Sequence, residues 1–117
     1  MTINIIKKII LLTGAIFLFI FIQAGKLLAF DTKTLAQCLS FNQFIMYGTQ
    51  VCSACSAQKD LFGEDFTYIS YIDCNQNQKL CIDKKITGFP TWIDREGNKY
   101  SGVIPLEILT ELSHCTN

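Results

Sequence analysis

Cys52 and Cys55 are separated by two residues, in Cys52-Ser53-Ala54-Cys55, and the chemistry this spacing serves is thiol-disulfide exchange. That reaction needs a thiolate able to reach an incoming disulfide, and a second thiol close enough to resolve the mixed disulfide that forms. If the pair opens a helix, the first sulfur lies among backbone N–H groups that have no intrahelical partner, at the positive end of the helix dipole. The second then lies about one turn inside. Cys52 is therefore expected to attack and Cys55 to resolve. Ser53 and Ala54 supply neither a proline nor a cation to hold the Cys52 thiolate further, so a moderate oxidant is expected. Two other uses of the pair compete with this one, an inert structural bridge and half of a zinc site completed by Cys74 and Cys81. Zinc ribbons usually place two residues between paired ligands, whereas six separate Cys74 from Cys81. An inert bridge is disfavoured because a strand, loop and helix start is the placement that activates thiols. No metal and no cofactor are expected.

The elements that must position the pair can be read on either side of it. Gln43 to Tyr47 is a short apolar run before Gly48, as expected of a strand buried on both faces. Ser56 to Phe62 contains good helix formers and stops at Gly63, so the cysteines fall at a helix start. Upstream, Asp31 can cap a helix that carries Leu35, Ala36, Cys38 and Leu39 and ends near Ser40. Downstream, Thr67 to Ile72 is rich in β-branched and aromatic residues and reads as a second strand, followed by the polar loop Asp73 to Gln78 and a short helix around Lys79 to Lys85. Thr91 to Asp94 and Lys99 to Ser101 form a hairpin about the turn Arg95 to Asn98. A last helix starts at Pro105 and repeats Leu106, Leu109 and Leu112 at helical spacing, with Ile108 widening the stripe. This order predicts a single α/β layer structure.

The chain has 117 residues, six cysteines and a formal net charge of zero. Scattered charges leave no basic footprint for nucleic acid, which is excluded as a partner. Six cysteines in so short a chain point to an oxidising compartment. Lys7 and Lys8 precede an apolar run from Ile9 to Ile22 broken only by Thr13 and Gly14, and no acidic residue occurs before Asp31. That pattern is an export signal, with the lysines on the cytoplasmic side and the chain from about Asp31 onward across the membrane. Residues 1–30 are read as a signal peptide or signal-anchor helix and residues 31–117 as the folded domain. A cleaved peptide and a retained anchor both fit: the run has the length of a signal core, Gln23 to Phe30 can extend a tilted helix, and Leu27 before Ala29 makes a poor cleavage sequence.

Cys52-Ser53-Ala54-Cys55 after a buried strand, with Gly88-Phe89-Pro90-Thr91 before a hairpin, resembles the thioredoxin superfamily. Met46-Tyr47-Gly48, Gln58-Lys59, Phe62-Gly63, Cys74, Cys81, Phe89-Pro90-Thr91-Trp92 and Ser101-Gly102 narrow the resemblance further. They look like the thioredoxin-like domain associated with bacterial vitamin K epoxide reductase homologues, over nearly all of Asp31 to Ser113. The resemblance implies a central mixed sheet of about four strands flanked by helices. It also implies an extracytoplasmic domain that oxidises substrate proteins and passes their electrons to a membrane reductase linked to a quinone. Cys52 and Cys55 match the redox pair, and Pro90 matches the cis-proline that faces it. A cis bond there would leave the backbone at Phe89 free to pair with a substrate strand. Phe89 and Trp92 are the expected substrate contacts, although an aromatic in a strand such as Trp92 is more often core.

The sequence departs from that pattern in places. Val51 and Ser53-Ala54 stand where relatives commonly have an aromatic residue and Pro-His, and Ile45 and Met46 occupy the region where many thioredoxins bury an acid. The reductase domain is not in this sequence, so a separate partner is implied. Six cysteines allow fifteen pairings. The fold and the resemblance together imply Cys38–Cys115, stapling the two ends of the domain, and Cys74–Cys81 across the polar loop, either as a structural bridge or as an electron relay. His114 reads as a solvated surface residue, and Lys59 and Asp60 as a solvated helix face. Competing functions are an extracytoplasmic reductase, as in cytochrome c maturation, a non-catalytic binding module braced by disulfides, and a metal-binding module.

Overall fold

A computed structural model describes residues 2–26 and 31–116. Two units separate along the chain, Met1–Phe30 and Asp31–Asn117. The first contains one helix, α1 (Thr2–Lys26), in which Thr2–Phe19 is long and apolar enough to cross a membrane. Its 18 residues rise roughly 27 Å, close to the roughly 30 Å of a bilayer's hydrocarbon core. The Leu27 and Ala29 cleavage sequence lies outside the described residues.

The second unit opens with α2 (Thr32–Phe41), capped by the Asp31 carboxylate, which accepts the Thr34 N–H at 3.2 Å. Its apolar stripe buries Leu35, Ala36 and Leu39. β1 (Ile45–Gly48) follows, then α3 (Ser53–Phe62), β2 (Ser70–Asp73), α4 (Gln78–Asp83), β3 (Thr91–Ile93), β4 (Lys99–Ser101) and α5 (Leu106–Ser113). The strands form one mixed sheet in the order β2-β1-β3-β4, with β1 parallel to β2 and antiparallel to β3, and β3 antiparallel to β4. A β-α-β crossover followed by an antiparallel hairpin, with helices packed on the sheet, is the thioredoxin-like α/β fold that the resemblance implies. Tyr71, Met46 and Trp92 are register partners across β2, β1 and β3 and so share one face of the sheet.

Three boundaries differ from the sequence reading. β1 starts at Ile45 because Gln43 takes a positive φ of 59° that ends the preceding turn. β2 starts at Ser70 because Gly63–Tyr68 winds into a 3-10 helix, where the Thr67 hydroxyl donates to the Glu64 carbonyl at 3.2 Å. Phe66 in that turn packs edge-on against Tyr71, with ring centroids 5.7 Å apart, so an aromatic contact overrides the β propensity of Thr67 and Tyr68. α4 runs Gln78–Asp83 because the chain turns at Lys85, with φ 54°.

Gln58 ties α3 to the chain before α5. Its fully buried amide donates to the Ile104 carbonyl at 3.0 Å and accepts the Ile104 N–H at 2.7 Å, and the same oxygen accepts the Trp92 indole N–H at 3.4 Å. The hairpin turn is held by Asp94, whose carboxylate accepts the Asn98 backbone N–H at 2.8 Å and the Tyr100 hydroxyl at 3.0 Å. Cys38–Cys115 joins α2 to the end of α5 across 77 residues, and Cys74–Cys81 closes a loop of 7. The second bridge belongs to a buried cluster with Tyr47 and Ile93.

Candidate functional site

β1 delivers the chain to the site. Gly48 ends the strand, a turn follows, and Cys52 adopts extended backbone as the N-cap of α3. Its sulfur accepts the Cys55 N–H at 3.0 Å, so the side chain of the first cysteine satisfies one of the helix's otherwise unpaired donors. Among the described residues, Cys52 and Cys55 are the only cysteines not in disulfides. The pair is therefore present as two thiols, its reduced form.

The two thiols differ in surroundings. Cys52 is half-buried at the domain surface, while Cys55 is 1% exposed. Burial first, and then the hydrogen bond and charge of Cys52, push the Cys55 thiol up to about 11. The Thr49 backbone and the Lys59 charge act in the opposite direction. Accessibility alone thus decides which sulfur an incoming disulfide meets, and it is that of Cys52.

The chain returns to the pair at the start of β3. The Phe89–Pro90 peptide is cis, and the Phe89 carbonyl lies 3.7 Å from the Cys52 sulfur. Pro90 is buried, whereas Phe89 is exposed beside the thiol. Trp92, expected among the substrate contacts, requires correction. It has no accessible surface, because β3 is an interior strand and its indole packs at 6.2 Å from the Phe62 ring and bonds to Gln58. A side chain in that position braces the sheet and offers no accessible surface for contact.

Three residues near the thiols were not singled out for the site by the sequence. Gly48 is needed for space: a Cβ there would stand 2.9 Å from the Cys55 sulfur and 3.2 Å from Cε2 of Tyr71. Tyr71 reaches across from β2 into the same place. Lys59, read as a solvated helix residue, lies with its ammonium 4.1 Å from the Tyr71 ring centroid and 5.4 Å from that of Phe66. The signal that could have found Tyr71 is register, since a parallel partner of Met46 shares its face. Cys74 and Cys81 are bonded to each other, so the zinc set weighed in the sequence is not assembled. A cavity of about 440 Å³, lined by residues including Asn42, Asp94, Tyr100 and His114, contains none of the thiols.

No protein-family model matches the chain. Among curated proteins, it is 36% identical over 77 residues to the thiol-disulfide oxidoreductase LTO1 of Arabidopsis thaliana, covering 58% of this chain and 20% of that protein. It is 32% identical over 101 residues to a thioredoxin domain-containing protein 5 homolog of Drosophila melanogaster, covering 75% of this chain and 24% of that one. The chain thus spans a quarter or less of these relatives' length. Among solved structures, the thioredoxin of Fasciola hepatica superposes with a TM-score of 0.47 at 15% identity, over 70% of this chain and 91% of that one.

Proposed function

We propose that this chain, which has the thioredoxin-like fold with a Cys-x-x-Cys pair opening α3, is an extracytoplasmic thiol-disulfide oxidoreductase that oxidises client proteins. The observation that carries the reading is the placement of Cys52. Its sulfur caps α3 through the Cys55 N–H at 3.0 Å, faces the Phe89 carbonyl at 3.7 Å and is accessible, while the four remaining cysteines are consumed in bridges. The name of the Arabidopsis relative describes the same chemistry.

In the oxidising direction a client thiolate forms a bond to the Cys52 sulfur of the oxidised pair, the Cys52–Cys55 bond breaks, and Cys55 leaves as a thiolate. A second client thiolate then attacks the client sulfur of the mixed disulfide and releases Cys52. The client gains one disulfide and the pair holds two electrons, which exchange onward to a quinone-linked membrane reductase. Phe89, exposed beside the Cys52 sulfur, is the first contact for the client backbone. The two structural bridges and the Lys7-Lys8 pair ahead of the apolar stretch of α1 support work outside the cytoplasm, with the helix as membrane anchor. The direction of flow rests on the resemblance to domains associated with vitamin K epoxide reductase homologues.

The test is a pair of substitutions in the full-length chain in detergent. Cys55→Ser should accumulate a mixed disulfide between Cys52 and a client peptide with a single thiol presented with glutathione disulfide, and Cys52→Ser should form none. Exchange that survives both substitutions would remove the assignment.

A further inference from the structure

Thiol-disulfide exchange at this site places a negative charge on Cys55 in either direction of flow. When a client thiolate attacks oxidised Cys52, the electron pair of the broken bond stays on the Cys55 sulfur. When electrons flow the other way, the same thiolate attacks Cys52 in the mixed disulfide. In the first turn of α3 the Cys55 N–H is already committed to Cys52, and the groups that favour the Cys55 thiolate are the Thr49 backbone and the Lys59 charge. Cys55 is 1% exposed, so bulk water solvates a charge there only weakly.

One unused donor lies next to it. The Tyr71 hydroxyl oxygen is buried and has no hydrogen-bond partner among the described residues. The point where a Gly48 Cβ would stand is 2.9 Å from the Cys55 sulfur and 3.4 Å from that oxygen, so the missing side chain lets the two groups approach. Native structures seldom leave a buried polar atom unpaired, and those that do call for an explanation. β1 itself carries no titratable side chain on the face of Met46 and Gly48, and Asp73 on β2 is the register partner of Gly48. The tyrosine ring is held from two sides, by the Lys59 ammonium at 4.1 Å and by the edge of Phe66 at 5.7 Å.

Resting on the reading of Cys52 and Cys55 as the redox pair, we propose that the Tyr71 hydroxyl is the hydrogen-bond donor reserved for the Cys55 thiolate, unpaired in the resting thiol state and engaged when exchange charges that sulfur. No proton is transferred: the phenol keeps its hydrogen, and Cys55 later takes a proton from water. Burial first, and then the charges of Asp73, Cys55 and Cys52, push the phenol up to about 12, so it remains a donor across the working pH range. The titratable and charged groups that face the contact are Cys52, Lys59 and Asp73.

Tyr71→Phe removes the donor and leaves the ring, and Trp92 fluorescence confirms folding. In the full-length chain in detergent, with Cys52→Ser present, the pH at which Cys55 becomes reactive to iodoacetamide should rise by about one unit on adding Tyr71→Phe, a tenfold loss of thiolate. Resolution of a mixed disulfide between Cys52 and a model peptide should slow about tenfold, the same loss of thiolate acting on the rate. Alkylation of Cys52 in a Cys55→Ser background should not change. Coincident Cys55 titrations with equal resolution rates would overturn the proposal while leaving the redox pair intact. Failure of the unsubstituted chain to form any mixed disulfide at Cys52 would overturn the redox reading and this inference with it.

Discussion

Removing the Cys38–Cys115 bridge should destabilise the domain far more than removing Cys74–Cys81, and the difference follows from loop length. The first closes 77 residues and the second 7. In the chain-entropy model those closures are worth about 4.5 and about 2.4 kcal/mol, so the two double substitutions should differ by about 2 kcal/mol. Cys→Ala at both ends keeps the comparison fair, because Cys74, Cys81 and Cys115 are all buried and lose similar packing. Asn42, which donates to the Ser113 carbonyl at 3.0 Å, still joins the two ends of the domain after the longer bridge is gone, but it constrains only the folded state. Trp92 is the sole tryptophan and is fully buried, so urea unfolding of the full-length chain can be followed in detergent by its fluorescence. With a slope of about 1–2 kcal/mol per molar urea for a domain of this size, the two midpoints should lie about 1–2 M apart. Equal midpoints, or a lower one for Cys74→Ala/Cys81→Ala, would refute loop closure as the source of the longer bridge's stabilisation.

The same Cys74→Ala/Cys81→Ala chain should retain exchange with a client peptide, since the bridge sits in the cluster with Tyr47 and Ile93; loss of exchange in a folded variant would make it a relay. The reduced protein should lose stability as pH rises from about 9. There the folded state holds the Cys55 proton up to about 11 while the unfolded chain releases it near 9.0, and chemical denaturation at pH 8 and pH 10 measures the fall. The oxidised protein should lack this contribution, because a bonded sulfur does not titrate. Gln58→Leu strips partners from two buried groups of Ile104, at about 1–3 kcal/mol each, and a melting curve like that of the unsubstituted chain would contradict the bridging role. Gly48→Ala should cost about 1–3 kcal/mol by crowding the Cys55 sulfur and Tyr71, read from the same unfolding transitions.

Local chemistry made most of the fold legible. The Asp31 cap, the apolar run before Gly48, the Gly63 stop and the Arg95 to Asn98 turn each mark an element that the structure contains near the expected place. Thr67 and Tyr68 misled, because their β propensity is overridden by the packing of Phe66 on Tyr71, a contact visible only once two segments are brought together. Cys52 and Cys55 could be read because their chemistry depends on sequence spacing. Tyr71 could not, since its relation to Cys55 arises from strand register and from the absent side chain of Gly48. Trp92 was half legible: its strand was placed correctly, but interior position in the sheet, fixed by the pairing of β3 with both β1 and β4, decides that it faces the core.

Equilibration of the full-length chain in detergent against glutathione buffers, with alkylation and mass-spectrometric counting of free thiols, tests the central claim most directly. Cys52 and Cys55 should gain and lose their alkyl groups together as one two-electron couple while the other four cysteines stay bonded, with a potential well above the thioredoxin value of roughly −270 mV. A pair that never oxidises, or that titrates only with the structural bridges, would contradict it.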